Sequence, residues 1–96
     1  MEERNKHDEM VTALLEEKSL AALVYLIDHG RELEFISGEH TYFISKDKAA
    51  KDVSLWKKDQ EQSFDHMYDL IEHADVEGQP FFKAFKESEI CTLFYK

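Results

Sequence analysis

The sequence predicts an α+β fold: a small, mostly antiparallel sheet of three to five strands, packed with N-terminal helices and two later helices at 64–74 and 80–87. Three observations predict it. Glu32 to Ser45 (ELEFISGEHTYFIS) sets two strand-like runs around a central Gly-Glu pair, the pattern of a β-hairpin, with apolar residues on both parities of its second half. Ahead of it, Met10 to Ile27 repeats apolar residues at helical spacing. Behind it come a strand-like VSLWK, two more helical stretches and the apolar ICTLFY.

Residues 1–7 lack apolar periodicity and are expected to form a disordered lead-in or the solvated start of a helix. Met10, Val11, Leu14 and Leu15 make one stripe, which predicts a short first helix from Asp8 to Glu17. Ser19 is placed to cap a second helix, because Leu20, Leu23, Val24 and Ile27 form a stripe rotated away from the first. Gly30 follows that helix as its terminating residue, with His29 in the last turn as a partner for the exposed carbonyls.

If Gly38 and Glu39 are the central residues of a type II′ turn, the hairpin register is fixed. Ser37 faces His40, Ile36 faces Thr41, Phe35 faces Tyr42, Glu34 faces Phe43 and Leu33 faces Ile44. Leu33, Phe35, Tyr42 and Ile44 then share a core face, while Glu32, Glu34, Ile36, Thr41, Phe43 and Ser45 share the other.

KDKAAK, residues 46–51, reads as a polar connection. Val53 to Lys57 is a third strand, with Val53, Leu55 and Lys57 on one side and Ser54 and Trp56 on the other. A turn at Lys58 to Gln60 leads to a brief fourth strand near Glu61 and Gln62. Ser63 is read as the cap of the helix at 64–74, buried through Phe64, Met67, Leu70, Ile71 and Ala74. Asp75 to Gly78 breaks it, and Pro80 opens the helix at 80–87, anchored by Phe81, Phe82 and Phe85. Ile90 to Tyr95 is apolar on both parities and is expected inside the sheet or covered on both sides. At 96 residues and 43% hydrophobic, without repeats or linker-like tracts, residues 1–96 read as a single domain that can bury one core.

The function classes follow from what the residues supply. The longest apolar run, Leu20 to Ile27, is eight residues, against the roughly 20 that cross a bilayer, and no basic segment precedes it as in a secretory signal. A soluble, cytoplasmic protein is expected. The net charge is −9, and it lies at the ends: residues 1–30 carry seven acids and three bases, 31–60 six and six, 61–96 eight and three. That field repels phosphate backbones, so nucleic acid is not an expected partner; solubility or a basic protein partner accounts for it instead.

Cys91 is the only cysteine, so no internal disulfide forms and a multi-cysteine zinc site is excluded; within ICTLFY it reads as a buried small hydrophobe. The spacing of His66, Asp69 and His73 puts three candidate metal ligands on one helical stripe, but that stripe points away from the apolar one and lacks a fourth ligand. His40, beside Glu39 at the hairpin tip, has the chemistry of a general base but no nucleophile near it in the sequence. The glycines Gly30, Gly38 and Gly78 make no phosphate-cradling loop, and no cofactor is expected. Lys46, Lys48, Lys51, Lys57 and Lys58 surround Trp56, but Asp47, Asp52 and Asp59 offset them, which suits a solvated edge with Trp56 resting on lysine stems.

The outward sheet face is what remains. Ile36, Phe43 and Trp56 stand there with Glu32 and Glu34, and either a helix closes over them or they anchor a partner. The sequence is therefore read as a small acidic, non-enzymatic binding or regulatory protein, inhibitor-like or immunity-like toward a basic partner. One alternative is a small metal-dependent or acid–base enzyme using His66, Asp69 and His73 or His40; another is a homo-oligomer joined through a sheet edge or the aromatic face.

Overall fold

A computed structural model describes residues 3–47 and 52–94. Its elements run α1 (Glu3–Glu17), α2 (Leu20–Asp28), β1 (Glu32–Ser37), β2 (His40–Lys46), β3 (Val53–Lys57), β4 (Gln60–Phe64), α3 (Met67–His73), β5 (Asp75–Val76), β6 (Gln79–Pro80), α4 (Phe81–Lys86) and β7 (Glu89–Phe94). The five long strands form one antiparallel sheet in the order β4-β3-β2-β1-β7, and β5 and β6 form a small hairpin of their own. The expected α+β class is the class found.

Local chemistry explains most boundaries. Helix α1 begins at Glu3, ahead of the expected Asp8, so residues 3–7 are the start of a helix. Lys18 ends it at φ 54°, where its amide bonds the Leu14 carbonyl at 3.0 Å. Ser19 caps α2 by accepting the Ala22 amide at 3.1 Å. At the far end, Gly30 takes φ 93° and the His29 ring bonds the Tyr25 carbonyl at 2.7 Å, as the sequence predicts for both.

The β1–β2 register is the one the type II′ turn dictates, pair by pair from Leu33 with Ile44 to Ser37 with His40. Gly38 supplies the positive φ, 63°, at the first central position, and Glu39 has none. Continuing the pairing outward, β3 sets Trp56 beside Phe43, and β7 sets Thr92 beside Glu34.

One face of this sheet is the core. Leu33, Phe35, Tyr42, Ile44, Val53 and Leu55 point into it and meet Leu23, Leu26 and Ile27 of α2, Met67 and Leu70 of α3, and Phe81 and Phe85 of α4, all buried. Phe35 is the centre: its ring stacks on Tyr42 at 5.3 Å and takes Phe81 and Phe85 edge-on at 5.8 and 5.5 Å. Helix α1 packs on α2, burying Leu14, while Leu15 of its expected stripe stays 49% exposed. Lys18 and Lys86 donate to each other's backbone carbonyls, at 3.3 and 3.2 Å, which ties the C-terminal ends of α1 and α4 together.

Three expectations need correction. Strand β4 runs through Phe64, which pairs with Val53, so the helix expected at 64–74 starts only at Met67 and is capped by His66, not Ser63. Pairing with β3 outweighs the helical spacing of Phe64. Pro80 is the cap of α4 and pairs with Asp75, and Phe82 lies 45% exposed because a six-residue helix presents only Phe81, Ala84 and Phe85 inward. β7 is an edge strand: a register shift at Glu34/Phe35 leaves Cys91 as the extra residue, so Ile90 and Leu93 face the core while Cys91 is exposed.

A direct check of the face assignment compares Phe35→Ala with Thr41→Ala, which sit on opposite faces of paired strands. Phe35→Ala should cost about 3–5 kcal/mol in urea unfolding, while Thr41→Ala stays within about 0.5 kcal/mol.

Candidate functional site

No helix among the described residues lies on the second face of the sheet. Helices α2, α3 and α4 all meet the sheet on the Phe35 side, and α1 rides on α2. Glu32, Glu34, Ile36, Phe43 and Trp56, the residues the sequence places on this face, are there and are half-buried. Their shelter comes from neighbouring side chains on the sheet itself.

The pairings arrange this face in rows. Thr92, Glu34, Phe43, Trp56 and Glu61 lie directly opposite one another across five strands, so two aromatic rings are flanked on each side by a carboxylate. Beside that row, Phe94 stands opposite Glu32, and Glu89 opposite Ile36. The Phe94 and Phe43 rings meet at 5.8 Å and 65°. Toward the β4 edge, Glu61 Oε2 accepts from Ser54 Oγ at 2.5 Å and from Ser63 Oγ at 3.0 Å. Among the described residues, no lysine or arginine occupies a strand position on this face. Cys91 lies along its rim, where partial desolvation, then Glu34 and Glu89, push the thiol pKa up and keep it protonated.

Sequence reasoning missed Phe94 and Glu61. Phe94 faces outward only because the bulge at Cys91 resets the alternation, and the bulge carries no sequence signal beyond an apolar run. Of the Lys-rich surround of Trp56, Lys57 points to the opposite face, and residues 48–51, including Lys48 and Lys51, lie outside the described residues. Lys46 pairs instead with Asp28 of α2 at 3.2 Å.

A second cluster forms at the hairpin tip, around a residue the sequence did not single out. Glu77 sits in the β5–β6 turn at φ 54°, followed by Gly78 at φ 83°. A glutamate in that left-handed conformation is unfavourable by roughly 1–2 kcal/mol, so something must hold it. Tyr42 Oη donates to Glu77 Oε2 at 2.5 Å, and the same oxygen lies 2.8 Å from His40 Nδ1 and 3.4 Å from Lys57 Nζ. His40 approaches off the hydrogen-bond direction, so its contact is one of charge when the ring is protonated. Gln62 and Asp75 hold the neck of the same turn, the side-chain amide bonding the Asp75 amide and carbonyl at 2.8 and 2.9 Å as a strand neighbour would.

The Tyr42 bond, ahead of the His40 and Lys57 charges, holds the Glu77 carboxyl below its usual range despite opposing desolvation. Burial, then the bond and charge of Glu77, raise the Tyr42 hydroxyl well above its ordinary value. A phenol held neutral donates but does not abstract protons. The shallow pocket alongside, about 290 Å³ and lined by Tyr42, Lys57, Gln62, Asp75 and Glu77 among others, is thus walled by groups already bonded to each other. The cluster acts as a clamp between the two hairpins.

The metal-like trio does not converge. His66 Nδ1 accepts the Asp69 amide at 3.3 Å as a helix cap, and its Nε2 lies 3.6 Å from Asp69 Oδ2. His73 is exposed and contacts Glu72 instead, and among the described residues no three such side chains gather as a metal would require. Arg31, also unforeseen, is buried between α1 and β7, its Nε donating to the Phe94 carbonyl at 2.8 Å and its Nη1 lying 2.6 Å from His7 Nε2.

The clamp predicts a pH dependence. Because the Glu77 pKa is depressed in the folded state, its stabilisation is present above the ordinary carboxylate value and is lost as pH falls through the lower, folded one. Melting curves of the protein and of Glu77→Gln should differ at neutral pH and converge in acid. Tyr42→Phe should cost about 1 kcal/mol at neutral pH, measured by urea unfolding.

No helix among the described residues is long and apolar enough to cross a membrane. Comparison with protein-family models, with curated proteins and with solved structures finds no match for this chain, so its function is argued from the two sites just described.

Proposed function

We propose that this is a non-enzymatic binding or regulatory protein that acts through protein–protein contact, docking the second face of its sheet on a basic protein. The observation that carries this reading is the uncovered row Glu34, Phe43, Trp56, Glu61, with Ile36 and Phe94 beside it. Half-buried aromatics on a rigid sheet offer contact area at little entropic cost, and the carboxylates around them steer a cationic surface and reject an anionic one. Inhibitor-like or immunity-like neutralisation of a nucleic-acid-handling protein is the concrete form, because an acidic surface fits a site shaped for phosphates. A cytoplasmic setting belongs to the same reading, since a reducing compartment leaves an exposed lone thiol such as Cys91 unpaired.

Homo-oligomerisation through this face is the poorer fit. A two-fold contact between copies sets the same patch against itself and brings Glu34 and Glu61 of one copy toward those of the other. A basic partner meets no such repulsion.

Capture from cells of the source organism tests the proposal when the recovered partner is then titrated against variants. Glu34→Lys and Phe43→Ala should each weaken binding by about tenfold or more, with circular dichroism unchanged, and affinity should fall as salt rises. A partner that binds both variants as tightly as the parent protein sinks the proposal.

A further inference from the structure

Four side chains of the second face form one diagonal group across β1. Glu34 lies directly opposite Phe43 on β2, and Glu32 directly opposite Phe94 on β7. The backbones of β2 and β7 are about 10 Å apart across β1, so ring centroids 5.8 Å apart require both rings to lean inward over the strand. The β1 carboxylates therefore emerge beside aromatic surface, which is why they are half-buried on an otherwise open face. Phe94 remains 38% exposed.

The group is held in place before any partner arrives. Arg31, itself buried, donates to the carbonyls of Phe94 and Leu93 at 2.8 and 3.3 Å, which fixes the end of β7 that carries the Phe94 ring. Phe43 is fixed from the other side by ladders to both β1 and β3. Glu34 takes part in no hydrogen bond or ion pair among the described residues, so its carboxylate is available while its position is set by β1, an interior strand paired on both sides.

A carboxylate beside two rings discriminates between cations. An ammonium is compact and strongly hydrated, and gains little from leaving water for this group. A guanidinium is planar and weakly hydrated, stacks on an aromatic face and forks onto a carboxylate at the same time. We propose that Glu34, Phe43 and Phe94 form a receiving site for an arginine side chain of the protein partner. This rests on the docking reading above and adds to it which side chain of the partner makes the central contact.

Two probes decide it: the peptide Gly-Arg-Gly-Arg-Gly, blocked at both ends, and its lysine counterpart, each titrated into isotope-labelled protein and followed by amide chemical shifts. The arginine peptide should move the signals of Glu34, Phe43 and Phe94 and bind about threefold to tenfold more tightly than the lysine peptide. Glu34→Gln, equal in size but uncharged, should bring the two affinities together, and Phe94→Leu should reduce the preference while the spectrum stays folded. Equal affinities at this face in the parent protein would overturn the arginine site and leave the docking reading standing. Shifts confined to other surfaces, such as the acidic side of α1, would also overturn it. The docking reading fails separately, when the captured partner ignores Glu34→Lys and Phe43→Ala.

Discussion

The turn at Gly38 governs the rest of the molecule. Its positive φ at the first central position, with none at Glu39, selects the hairpin register, and the register decides which side chains of β1 and β2 enter the core. A slip of one residue would turn Phe35 and Tyr42 out to solvent and bring Glu34 and Phe43 against α2 and α4. Every later strand inherits that choice: β3 and β7 pair outward from the hairpin, and β4 from β3. The buried aromatic group around Phe35 and the acidic row around Phe43 are thus two results of one backbone constraint.

The same constraint shows which parts of the fold were legible from residues alone. Where one residue type answers one local need, the sequence is explicit: Ser19 for a free amide, Gly30 and Gly38 for positive φ, strict alternation for a half-buried strand. Where two local preferences compete, it is not. Phe64 fits a helical stripe and a strand equally well, and its pairing with Val53 settles the matter through a partner eleven residues away. ICTLFY has no alternation to read because a bulge lies within it, so the exposure of Cys91 and Phe94 depends on how β7 meets β1.

The candidate sites divide in the same way. Glu32, Glu34, Ile36, Phe43 and Trp56 were legible because face membership follows from register. Glu77 was not, since its partners His40, Tyr42 and Lys57 lie 20 to 37 residues away in sequence and no periodicity links them. Arg31 was hidden for the same reason: a cation in the short link between α2 and β1 looks solvated until β7 closes over it and the β7 carbonyls take up the guanidinium. Side chains that join distant elements carry little local signature, because their role is set by topology.

The two clusters also differ in what their charges can still do. At the hairpin tip, the Tyr42 hydroxyl donates to one Glu77 oxygen while His40 and Lys57 lie within ion-pair distance of it, so the charge is spent inside the molecule, holding a strained turn against the sheet. On the second face Glu34 has no such partner among the described residues. A half-buried carboxylate beside aromatic rings gives up some of its water, and among the described residues no cation takes that water's place. A cation from outside would offset that loss, and so the contrast between an internally paired Glu77 and a Glu34 open to an outside partner supports the proposed docking on the sheet face over docking at the histidine-bearing tip.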